Sequence, residues 1–239
     1  MPDALFCVGQ EVLTEGRDKL DVGSVHLLIE LVCVTAATVC LIRFFSDNLN
    51  IRGDWFLAPF LLITAALVPT RLRKRSFAEI GLRIGRPGVI LRVLCVTCII
   101  VFPLLLTGIL LLKHLNVKLP LSPIIPEGRW FSWMAYQFMY VAVAEEIFFR
   151  GYFQCNVLSL LTMSVQKTRA FLEIIGIIIS ATVFAISHCL ILGSLMPIIT
   201  FLPGLIFGWL LVKTKSLLAP VLFHGLANVF YALIAAVLT

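Results

Sequence analysis

The sequence predicts an all-α fold, a polytopic transmembrane bundle of about seven spanning helices, with six and eight as the bounds. Three observations predict it. Of the 239 residues, 60% are hydrophobic and 13% charged, about half the charged share of an ordinary soluble domain. Mean hydropathy is +1.04, and apolar stretches near the ~20 residues needed to cross a bilayer recur along the whole chain. The basic residues fall in short segments between those stretches, where topology signals belong.

Taken in order, the expected spans are 24–45, 55–69, 89–112, 130–161, 171–192, 196–212 and 217–238. The second is short. The fourth is long, with a break expected near Asn156 that would leave part of 158–164 as a separate interfacial piece. Residues 1–23 form an N-terminal segment whose Asp3, Glu11, Glu15 and Asp18 are unlike a basic signal-peptide start, so the first helix is expected to be retained. Residues 24–129 supply the N-terminal helices and a basic loop at 70–88, and residues 130–239 a second, chemically distinct unit. Within the basic loop, 76–85 reads as a short amphipathic element on the membrane surface. The segment 116–129, with Pro120, Pro123 and Pro126, is expected to be extended.

Lys and Arg are distributed fourteen to five between the two faces these spans define. The positive-inside rule then puts the N-terminus in the cytoplasm and the C-terminus outside. A net charge of +6 distributed this way suits anionic lipid, and no nucleic-acid partner is expected. Six of the seven cysteines (33, 40, 95, 98, 155 and 189) lie in or beside apolar stretches, and Cys7 alone in a polar one, so no disulfide framework is expected. Cys95 and Cys98 have CxxC spacing, but with no second pair they read as small packing residues.

The second unit carries polar residues that hydrocarbon tolerates poorly. Glu145, Glu146 and Arg150 sit on the fourth span, His188 on the fifth, His224 and Asn228 on the last. Ionisable groups at such positions are costly and generally functional. Glu146 and Arg150 are one turn apart and can pair, whereas Glu145 points about 100° away. Arg150 can hold one carboxylate ionised and leave the other as an acid or base; these spacings alone leave either glutamate in that role. His224 and Asn228 share a helical face and offer N–H donors suited to an oxyanion. Gly204 and Gly208 have small-xxx-small spacing, for close helix packing, with Pro203 as a kink. A His-Glu-x-x-His zinc motif, a Gly-x-Ser-x-Gly elbow, an intramembrane aspartate pair and nucleotide-binding glycine loops are all absent from the sequence.

These motifs resemble the CAAX-protease and bacteriocin-processing (Abi) family of intramembrane peptidases. The family's EExxxR, FxxxH, FxxGxxxG and HxxxN patterns correspond to Glu145-Glu146 with Arg150, Phe184 with His188, Phe201 with Gly204 and Gly208, and His224 with Asn228, in that order. The resemblance covers roughly 130–238; the first half matches only loosely. It implies an endopeptidase inside a helical membrane bundle, acting on a membrane-anchored or lipidated peptide or protein. It further implies Glu145 as the base that activates water with help from His188, His224 and Asn228 as oxyanion donors, and Glu146 with Arg150 as supports. A metal-free glutamate mechanism is expected; the alternative is Zn²⁺ held by Glu145, Glu146, His188 and His224. A non-catalytic immunity or peptide-binding membrane protein is the competing reading. A proton-coupled transporter would predict repeat symmetry, which the sequence lacks. Short loops favour a prokaryotic plasma membrane.

Overall fold

The computed structural model describes residues 6–7, 17–48, 54–117, 128–165 and 167–238. Among them are seven helical rods and no strand: α1 Arg17–Asn48, α2 Asp54–Leu72, α3 Pro87–His114, α4 130–164, α5 Arg169–Leu192, α6 Phe201–Thr214 and α7 Leu218–Leu238. A 3₁₀ turn, Met196–Thr200, leads into α6. Five stretches are long and apolar enough to cross a bilayer: Val22–Asn48, Pro87–His114, Arg169–Leu192, Met196–Thr214 and Leu218–Leu238. The chain is an all-α integral membrane protein. Most of the proline-rich segment at 116–129 lies outside the described residues.

α4 is the central rod. It does not break near Asn156, contrary to the sequence expectation, but continues to Ser164. Asn156 is buried there, and its Oδ1 accepts a 2.7 Å hydrogen bond from Arg75, so the polar side chain is satisfied without a loop. Every residue from Ile147 to Gln154 is buried, because α2, α5 and α6 pack around this stretch. Two π-helical stretches, Gln137–Ala142 and Ile147–Gln154, flank the short α-helical turn Val143–Glu146 that carries both glutamates. Such wide turns recur at functional sites, where they redirect side chains.

The length of α4 explains the depth of His188. α4 and α5 form an antiparallel hairpin whose turn lies far below the glutamates. Glu145 stands nineteen residues before Ser164, and His188 nineteen after Arg169, so the two meet at the same height. At 1.5 Å per residue, that height is about 28 Å above the turn. α5 ends in a left-handed Gly193 (φ 61°), where Arg43 of α1 donates a 2.8 Å hydrogen bond to the Ile191 carbonyl. The orphan carbonyls of the helix end are thereby satisfied within the bundle.

The segment between α2 and α3 is a strap of turns. It exposes Phe77, Leu82 and Ile84 but buries Ile80 completely. It grips the α6–α7 turn: Leu217 N–H donates to the Gly81 carbonyl (2.9 Å), Arg83 to the Lys215 carbonyl (2.7 Å), and Ser216 to the Arg83 carbonyl (2.6 Å). Nearby, Glu30 of α1 pairs with Arg73 (2.8 Å) and accepts from Tyr152 of α4 (3.1 Å). Glu30 therefore ties three elements together.

The cysteine expectation needs one correction. Cys95 and Cys98 are free thiols, but Cys7 and Cys155 form a disulfide. The uninterrupted α4 carries Cys155 past the glutamates to where the Phe6–Cys7 turn packs, a juxtaposition that local hydropathy cannot reveal.

Candidate active site

Glu146 and Arg150 are fully buried, with Arg150 Nε 3.2 Å from Glu146 Oε2. The arginine also donates to the Gly204 carbonyl (3.4 Å). Aromatic faces complete its surroundings: the guanidinium carbon lies 4.1 Å from the Phe184 ring centre and 5.0 Å from that of Phe207. Ring quadrupoles thus supply attraction where hydrogen-bond acceptors run out. A buried pair of this kind offsets its desolvation only when its remaining atoms are engaged.

Glu146 has a second partner. Its Oε1 lies 2.9 Å from His224 Nδ1. With Glu146 ionised against Arg150, the shared hydrogen belongs to Nδ1, which turns Nε2 towards Glu145. His188 is arranged alike. Its Nδ1 donates to the Phe184 carbonyl (2.9 Å), an acceptor only, and its Nε2 also faces Glu145. Glu145 Oε2 lies 3.7 Å from His188 Nε2 and 3.8 Å from His224 Nε2, and it has no hydrogen-bond partner although it is buried. Those distances are too long for direct hydrogen bonds and short enough for a water to bridge the carboxylate to an imidazole.

Asn228 lies one turn beyond His224, and its Nδ2 donates to Gln137 Oε1 at 2.8 Å. An amide nitrogen carries two hydrogens, so one stays available. Gly204 and Gly208 bring α6 close: a Cβ at Gly204 would meet Ala181 at 3.2 Å, and one at Gly208 would meet Gln154 at 2.7 Å and Ile177 at 3.1 Å. Gln154 donates to the Gly208 carbonyl (3.2 Å). Phe184 makes edge contacts with Phe149 and Phe207, whereas Phe201 is half-buried at the start of α6.

The sequence reasoning passed over three residues. Phe207 stacks on the His224 ring (4.6 Å, 13°); Gln137 holds Asn228; and Gly225 admits the Phe138 ring, to which a Cβ would come within 2.4 Å. Polarity marked Gln137 as unusual, but nothing distinguished Phe207 among eighteen phenylalanines. As for the zinc alternative, no three His, Cys, Asp or Glu side chains gather as a metal-ligand group among the described residues. Glu146 is already committed to Arg150 and His224.

Residues 127–230 match the Rce1-like family, described as type II CAAX prenyl endopeptidase. That stretch is similar to this family. It is a little under half of the chain, and it contains every candidate residue from Glu145 to Asn228. No curated protein and no solved structure matches the chain. The Rce1-like match over this stretch supports a membrane-embedded peptidase.

Proposed function

We propose that this Rce1-like protein hydrolyses a peptide bond near the end of a prenylated or otherwise membrane-anchored substrate by a glutamate mechanism without a catalytic metal. The observation that carries the reading is the unpartnered Glu145 Oε2, facing two imidazole nitrogens beside a glutamate neutralised by Arg150. Glu145 takes a proton from water as the oxygen attacks the substrate carbonyl. His188, its Nδ1 hydrogen committed to Phe184, orients that water through its Nε2 lone pair. The free Nδ2 hydrogen of Asn228, and His224 when Nε2 is protonated, stabilise the oxyanion. Glu145 then returns the proton to the leaving amine. Glu146 and Arg150 fix His224 and the catalytic turn without touching substrate.

The basic strap and inner loops support a cytoplasmic N-terminus, in a prokaryotic plasma membrane. The purified protein in lipid nanodiscs, given a lipidated C-terminal peptide, should release the cleaved tail with no stoichiometric zinc bound and no loss of rate with a chelator. Chelator inactivation reversed by zinc would replace this reading with the metalloprotease. Intact peptide binding with no cleavage by the wild type under any condition would favour the non-catalytic alternative.

A further inference from the structure

The Phe6–Cys7 turn is seated as firmly as the core of the bundle. Phe6 and Cys7 are 3% and 1% exposed, and Cys155 is completely buried. Three elements converge on this turn. Arg75, at the end of the α2 strap, donates to the Cys7 carbonyl (3.1 Å), and Ser159 of α4 donates to the same oxygen. Arg169, first residue of α5, donates to the Phe6 carbonyl (2.8 Å). Cys7 N–H in turn donates to the Glu79 carbonyl of the strap (3.2 Å). Arg83 and Lys215 flank the Phe6 ring at 5.4 and 5.2 Å. The turn thus contacts α4, α5, the strap and, through Lys215, the α6–α7 turn that sets the height of His224.

We propose that Cys7 and Cys155 form a thiol–disulfide site at which a low-molecular-weight disulfide cross-links the N-terminal segment to the catalytic helix and braces its inner end. Cys7 takes a left-handed conformation (φ 66°), which a non-glycine residue adopts at a cost. The surrounding contacts and the cross-link hold it there. In the exchange, one protein thiolate attacks a sulfur of the small disulfide and expels one small thiolate. The second protein thiolate then attacks the mixed disulfide and expels the other. Two protein thiols and one small disulfide become one protein disulfide and two small thiols. The sulfurs are buried when the turn is seated, so exchange in either direction requires the turn to lift first. The cytoplasmic orientation proposed above decides only which thiol pool the site meets; the brace itself does not depend on the catalytic assignment.

The test uses the full-length protein in detergent micelles, treated with glutathione disulfide and then divided. Peptide mapping without reduction should recover a linked Cys7–Cys155 fragment. Reduction should lower the unfolding midpoint by about 5 °C or more, since the cross-link closes a long loop. Cys7→Ser protein should show the lower midpoint with or without reductant. Because the oxidised and reduced wild type can be compared directly, the test stands even if Cys155→Ser fails to fold. Alkylation of both thiols after glutathione disulfide would overturn the proposal, and so would a linked peptide with no midpoint shift. Cleavage by the reduced protein would leave the proposed mechanism intact whichever way the cross-link result falls.

Discussion

α3 and α4 are both long helices, yet the bundle uses them in opposite ways. α3 buries little beyond Ile90, Leu94 and Thr97 and turns Ile99, Ile100 and Leu104 outward. α4 buries fourteen consecutive residues, from Glu146 to Ser159, including Arg150 and Gln154. In a membrane, a lipid-facing helix can be apolar all round because hydrocarbon is its solvent. Charges need a helix walled on every side by partners. The comparison teaches that centrality, more than hydropathy, qualifies a helix to carry chemistry here.

Substitutions can break or sharpen that contrast. The largest effect should come from Glu145→Gln, which should lower cleavage by about 10²–10⁴-fold while the unfolding midpoint barely moves. Activity retained in that variant would remove the catalytic assignment from α4. Arg150→Met should be the most destabilising change, costing about 3–5 kcal/mol because it strands a buried Glu146. Thermal or denaturant unfolding in micelles measures this, and a loss below about 1 kcal/mol would show that the pair is not buried as described. Gly225→Ala should cost about 1–3 kcal/mol and reduce cleavage, since the added Cβ collides with Phe138 beside His224. Stability and rate measured on the same sample check both parts. At the small end, Thr97→Val on α3 should shift stability by less than about 1 kcal/mol. Its hydroxyl only returns a hydrogen bond to the Val93 carbonyl of its own helix. A large loss there would mean α3 carries more than packing.

Much of this was legible along the chain. Among the described residues the expected apolar stretches fall in helices, and the spacing of Glu146 to Arg150 became an ion pair, because both follow from short-range geometry. Gly204 and Gly208 likewise lie where α6 approaches its neighbours closely. What local reasoning lacked was the vertical alignment of rods. A break near Asn156 was expected from the length of the fourth stretch, yet Arg75, eighty-one residues earlier, satisfies that asparagine within the helix. Once α4 runs unbroken, Glu145 stands at the height of His188 and Cys155 reaches Cys7.

Composition and periodicity were enough to establish a helical membrane protein with a polar chamber in its second half, since hydrophobic burial and helical spacing are properties of neighbouring residues. The division of labour between the two glutamates was half visible: Arg150 is one turn from Glu146, but the spacing left either carboxylate free to act. Packing across helices broke that symmetry. It gave Glu146 both Arg150 and His224, and left Glu145 Oε2 facing two imidazoles without a hydrogen-bond partner. Which polar groups satisfy one another in a low-dielectric interior depends on three-dimensional contacts, and no linear pattern encodes those in full.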